Sequence, residues 1–194
     1  MRLWTTQETG FVDDLMANGF AYCKVVSEMV LDYDYAYEWM AEQMKQRIGM
    51  PPLPEINLPV WAWYQYRCRK QRTPTKSKYA NSIDTPCKMM ELEVPDKEVL
   101  LSDFSLWNIP FNAGHIIRDK NLSRKISAYY PCAFSDFPPE LQDVIKKSWE
   151  VIFDLKNRDR RLNPKAIRNK SIQATLWWVR KEWIVSVEDY SGYI

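Results

Sequence analysis

The sequence predicts an α+β fold, a mixed and mostly antiparallel sheet with flanking helices. Three observations carry this. Val60-Trp61-Ala62-Trp63-Tyr64-Gln65-Tyr66 alternates like a strand, with Trp61, Trp63 and Gln65 on one side and Ala62, Tyr64 and Tyr66 on the other. Both sides carry aromatics, so the strand is expected inside the fold. Residues 33–48 have helical periodicity, with Tyr33, Tyr37, Met40 and Met44 on one stripe that Ala36 and Trp39 widen. Near the end of the chain, 171–179 and 183–190 read as strands separated only by Arg180-Lys181-Glu182. That gap is too short for the crossover helix of a βαβ unit.

The remaining elements follow in order. Leu3 to Thr6 reads as a strand. Thr5 and Glu8 have capping-box spacing ahead of a helix over 7–17, which Asn18-Gly19 ends. Residues 20–26 are apolar and mixed, either a short strand or an irregular crossing. Gly49 stops the helix over 33–48, and Pro51, Pro52, Pro54 and Pro59 force an extended approach to the Trp-rich strand. Residues 67–86 read as a polar loop. Strands are expected over 87–94 and 98–102, with the turn Pro95-Asp96 between them. Asp103 or Ser102 caps a short helix that carries Phe104, Leu106 and Trp107 and ends before Pro110. Residues 112–137 have no clear period and read as a lid or insertion. A helix over 139–153 buries Leu141, Val144, Ile145, Trp149 and Ile152, with Asp136 as its expected cap. Residues 156–170 form a second basic loop.

The 194 residues fit one domain, 1–194, with enough apolar material for a core. Five glycines form no phosphate-cradling cluster. Cys23, Cys68, Cys87 and Cys132 lack metal-ligand spacing, and His115 is the sole histidine, so no metal site is expected and a Ser-His-Asp triad is disfavoured. No apolar stretch reaches membrane-spanning length and no signal peptide is visible, so a cytoplasmic protein without a membrane partner is expected.

Two basic runs stand out. Arg67, Arg69, Lys70 and Arg72 follow the Trp-rich strand, and Arg158, Arg160 and Arg161 lie in the loop before Gln173. If the two strands are neighbours, both runs flank one cleft, where cations would attract phosphates and nearby Trp and Tyr would stack bases. Each run alone is also what a solvated loop looks like. Glu91 and Glu93 share one strand face, as paired acid and base groups do, but also as a solvated sheet face does. Gln173 is a lone polar residue on an apolar strand, which fits a buried amide bonded to backbone or a ligand contact.

Four blocks, Met1-Arg2-Leu3-Trp4-Thr5, Trp61-Ala62-Trp63-Tyr64, Glu91 through Phe104, and Ile172-Gln173-Ala174-Thr175-Leu176-Trp177, together resemble a domain family of unknown function from bacteria and their phages. The layout also resembles the ADP-ribosyltransferase fold. That resemblance implies an enzyme using NAD as substrate to modify a nucleic-acid or protein acceptor, in a setting of phage conflict. It implies that Trp4, Thr5, Thr6, Trp63 and Tyr64 bind NAD; Asn112, after Pro110-Phe111, either fixes a loop or joins that cofactor site. Gln173 would stand where that fold usually has a catalytic Glu, so either Glu91, Glu93 or Glu182 supplies the charge or the activity is altered or lost. Two readings of another class stand beside it: a non-catalytic nucleic-acid-binding module, and a protein-interaction module with an aromatic patch.

Overall fold

The computed structural model describes residues 1–24, 34–70, 86–129 and 132–190. In chain order the elements are β1 (Arg2–Glu8), α1 (Thr9–Asn18), β2 (Phe20–Ala21), α2 (Asp34–Ile48), β3 (Val60–Gln65), β4 (Cys87–Glu93), β5 (Leu100–Asp103), α3 (Phe104–Phe111), α4 (Lys120–Ser127), α5 (Pro139–Trp149), β6 (Ile172–Leu176), β7 (Val179–Arg180) and β8 (Ile184–Tyr190). Short 3-10 turns join several of them. The fold is α+β, as predicted. Six strands form one sheet in the order β5-β6-β3-β1-β4-β8, and β2 pairs with β7 in a separate two-stranded ladder. Every pairing between these strands is antiparallel.

The two faces of the sheet are covered differently because the strands alternate. Leu3, Ala62, Leu92, Ala174 and Leu176 face a core that includes Val12 and Leu15 of α1. Leu100 and Trp61 belong to the other core, with Met40 of α2, Trp107 of α3 and Trp149 of α5. Trp149 is fully buried, touches the rings of Tyr35, Trp39 and Phe134, and donates its indole N–H to the Gly114 carbonyl at 2.6 Å. Gly19 ends α1 at φ 83°, a left-handed conformation that suits glycine.

Several expected details differ. Thr5 does not cap α1. It lies inside β1 and donates to the Trp61 carbonyl at 2.6 Å, so the ladder outcompetes the capping box. Asp136 does not cap α5, whose N-cap is Pro138 and whose first residue is Pro139, where a missing N–H costs nothing. α3 runs through Pro110, because in so short a helix the proline falls in the last turn. The segment over 112–137, read as a lid or insertion, contains α4, capped by Asp119, which accepts from the Asn121 and Leu122 N–H groups. The single strand expected over 171–179 ends at Leu176, and Val179 turns away to pair with Ala21. Tyr33 and the residues of the first basic loop beyond Lys70, including Arg72, lie outside the described residues. Among the described residues, no helix is long and apolar enough to cross a membrane.

Candidate functional site

The register lines up one row of residues across the whole sheet. Ser102 of β5 opposes Gln173 of β6, which opposes Trp63 of β3. Trp63 opposes Trp4 of β1, Trp4 opposes Glu91 of β4, and Glu91 opposes Ser186 of β8. Directly opposed residues project from the same face, with Cβ atoms about 5 Å apart. Trp61 lies one step along β3 on that face. Its ring meets Trp107 at 4.9 Å and Tyr37 at 6.0 Å. Burial pushes the Tyr37 phenol above its ordinary pKa, which keeps it neutral.

This face concentrates unsatisfied polar atoms. Among the described residues, six buried side-chain polar atoms lack a hydrogen-bond partner. Four of them are on this face: Ser102 Oγ, Gln173 Oε1, Trp4 Nε1 and Trp61 Nε1. Buried polar groups are ordinarily paired with protein or ordered water, so these four atoms have hydrogen-bonding capacity that the described side chains do not use.

At the end of this face the strand breaks its alternation. Trp63 pairs with Gln173, yet Gln65 pairs with Ile172, so β3 carries a bulge at Tyr64. Gln65 therefore leaves the Trp61-Trp63 side. Its Nε2 donates to the carbonyls of Ile167 and Lys170, both at 2.9 Å. Beyond the bulge the chain turns tightly, with positive φ at Arg67 (47°) and Cys68 (63°). The Cys68 N–H donates to Ser171 Oγ at 3.1 Å. The start of the first basic loop is thus tied to the end of the second. Trp63 forms edge contacts with Tyr66 at 5.1 Å and Phe104 at 4.9 Å. The Arg67 guanidinium lies 5.4 Å from the Tyr66 ring, and the Lys70 ammonium lies 4.3 Å from the Tyr64 ring.

The second loop is anchored by an ion pair that sequence reasoning missed. Lys170 and Asp103 are both fully buried, with Nζ to Oδ2 at 3.0 Å. Asn163 Nδ2 donates to both Asp103 oxygens, and the Ser105 N–H caps α3 through Oδ1. Lys170 Nζ also donates to the Asn157 carbonyl at 3.1 Å, so both ends of the loop meet at one place. Lys170 is therefore no solvated cation, whereas Lys156, Arg158, Arg160, Arg161 and Arg168 remain exposed. Asp159, the loop's only acid, accepts from the Arg161 backbone N–H and from Arg118, which hold its carboxyl below the usual range.

The remaining predicted site residues divide. Trp4, Trp63, Gln173 and Glu91 share the row, and alternation places Thr6 and Glu93 on the same face. Thr5 and Tyr64 belong to the opposite face, where Tyr64 packs on the α1 core. Glu91 is three strand spacings from Gln173, about 14 Å. Arg2 pairs with both Glu91 (3.2 Å) and Glu93 (3.5 Å). These carboxylates therefore form no constellation with Gln173. Asn112 is spent closing α3, bonded to the Asn108 carbonyl through Nδ2 at 2.7 Å. His115 is half-buried, and burial pushes its imidazole pKa down. No hydrogen bond joins it to Cys68 or Cys132 among the described residues.

Fold and site together define an α+β domain whose antiparallel sheet carries a row with two tryptophans across one face and basic segments at the end where β3 and β6 meet. Its family is the one described as a domain of unknown function, DUF3841, whose model matches residues 2–185, and the chain belongs to it. No curated protein and no solved structure matches the chain.

Proposed function

We propose that this protein binds single-stranded nucleic acid at the end of the sheet where β3 and β6 meet. One observation carries the reading: the Cys68-to-Ser171 bond joins the two basic loops beside Trp63, Tyr66 and Phe104. Exposed Arg67, Arg69 and Lys70 belong to the first of these segments and exposed Arg158, Arg160 and Arg161 to the second, with the partly exposed rings of Trp63 and Tyr66 beside the joint. Cations draw the phosphates and release counterions, while the rings stack bases with little regard to sequence. The expected result is anisotropy-detected binding of a short single strand that weakens steeply with salt. Replacing Arg67, Arg69 and Lys70 together with alanine should flatten the log-log salt slope by about 2, at about 0.7 per phosphate contact. Binding that ignores salt, or an unchanged slope in the variant, would reject the interface.

A second reading has one observation in its favour. Trp4, Trp63 and Gln173 fall on one row, as an NAD site for ADP-ribosyl transfer to a nucleic-acid or protein acceptor would require. A cation-like transition state is stabilised best by a carboxylate, and Gln173 offers only a hydrogen bond to a ribose hydroxyl. Nicotinamide release from NAD that falls in Gln173→Ala would support this reading. No release and no NAD-induced thermal shift would remove it.

A further inference from the structure

We infer that the bound single strand continues from the end of β3 and β6 across the second basic loop to α4, where the protein holds its phosphates and leaves its bases free. This rests on the nucleic-acid reading and adds to it the course of the strand.

A chain of short contacts leads there. Cys68, in the first basic segment, donates its N–H to Ser171 Oγ. The neighbouring Lys170 reaches the Asn157 carbonyl at 3.1 Å, and Asn157 Oδ1 accepts from the Asp159 N–H at 2.7 Å. Asp159 Oδ2 pairs in turn with Arg118 at 2.7 Å, and Arg118 precedes Asp119, the cap of α4. The second basic loop is therefore tied on one side to the segment that carries the stacking rings and on the other to the start of α4. On α4, Leu122 and Ile126 pack into the core, and Ile126 is fully buried. Lys120 and Arg124 stand one helical turn apart on the opposite side. Both are exposed, and neither enters an ion pair among the described residues.

The chemistry of this track fits phosphate and nothing else in a nucleic acid. Residues 118–127 and 156–170 contain no Phe, Tyr, Trp or His, so no ring waits there for a base. Their only acids are Asp119 and Asp159. Asp119 is committed to capping α4, and Asp159 to Arg118 and the Arg161 N–H. The surplus cations attract a polyanion, and contacts to phosphate position a strand without reading its sequence. The Arg118 side chain is 80% exposed. An ion pair so open to water holds its partners weakly, so a phosphate can draw the guanidinium away from Asp159 at small cost. Asp159 thereby acts as a built-in competitor for the phosphate at that point of the path.

Three single strands test this: one of about 4 nucleotides, the same strand extended by about 8 nucleotides, and the same strand extended by an equally long base-free phosphodiester tail, placed at either end in turn. With the unmodified protein, both kinds of extension are expected to tighten binding at low salt and to steepen the log-log salt slope to a similar degree. Lys120→Ala with Arg124→Ala is expected to flatten the slope for the extended strands by about 1.4, two phosphate contacts at about 0.7 each, and to leave that of the short strand unchanged. Asp159→Asn keeps an acceptor for the Arg161 N–H and is expected to tighten binding of the extended strands, a gain that a damaged fold does not produce. Extensions that add no affinity, a gain that requires bases, or an unchanged slope in the Lys120 and Arg124 variant would each overturn the path to α4. Salt-dependent binding of the short strand would then still leave the interface at β3 and β6 standing. No salt-dependent binding of any strand would overturn both.

Discussion

Lys170→Met is expected to lower folding stability by about 3–5 kcal/mol, the cost of breaking a buried pair by removing one partner. Asp103 would be left fully buried with a negative charge held only by Asn163 and the Ser105 N–H. The loss reaches further than one contact. Lys170 Nζ also satisfies the Asn157 carbonyl, so the second basic loop would lose a tie at its start as well. Urea unfolding measures this, and a double-mutant cycle with Asp103→Asn isolates the charge. Asn at 103 can still cap α3 through its side-chain oxygen, so the double variant should be destabilised by less than the sum of the two changes. A Lys170→Met protein within about 1 kcal/mol of the original would show that the pair does not hold the loop.

Trp149→Ala is expected to cost about 3–5 kcal/mol through a different mechanism. The indole fills the centre of the core between α2 and α5, against Trp39, Tyr35 and Phe134. Its removal leaves a large cavity and strips the Gly114 carbonyl of its donor. Trp149→Phe separates the two effects. It restores much of the packing but not the hydrogen bond, so its loss should be clearly smaller than that of alanine. Equal losses for the two variants would mean that the hydrogen bond, and not the filled volume, dominates.

The contrast between these residues shows what the sequence makes legible. Trp149 belongs to an amphipathic stripe, and local periodicity marks it as core. The strands β1, β3, β4 and β5 are legible for the same reason. The Asp103–Lys170 pair spans 67 positions, and no local pattern reports such a pairing. Asp103 was visible as a cap, but its second role depends on how β5 lies beside β6. α4 escaped notice because only Leu122 and Ile126 in it are large and apolar, although Asp119 was an available capping signal. The bulge at Tyr64 was equally invisible, since perfect alternation places Gln65 beside Trp63 when register removes it. The row from Ser102 to Glu91 is a product of register between distant strands. Glu91 and Glu93 were attractive as paired carboxylates, yet register sets them far from Gln173.

The strand order has a kinetic consequence. β1 sits in the interior of the sheet, but both of its neighbours, β3 and β4, lie far downstream in the chain. β3 in turn needs β6, from the last quarter of the sequence, on its other side. On a ribosome, β1 would emerge well before β3 and β4 and wait for both of its partners. Loop closure over such separations must precede the contacts that reward it, so refolding is expected to be slow for a chain of this size.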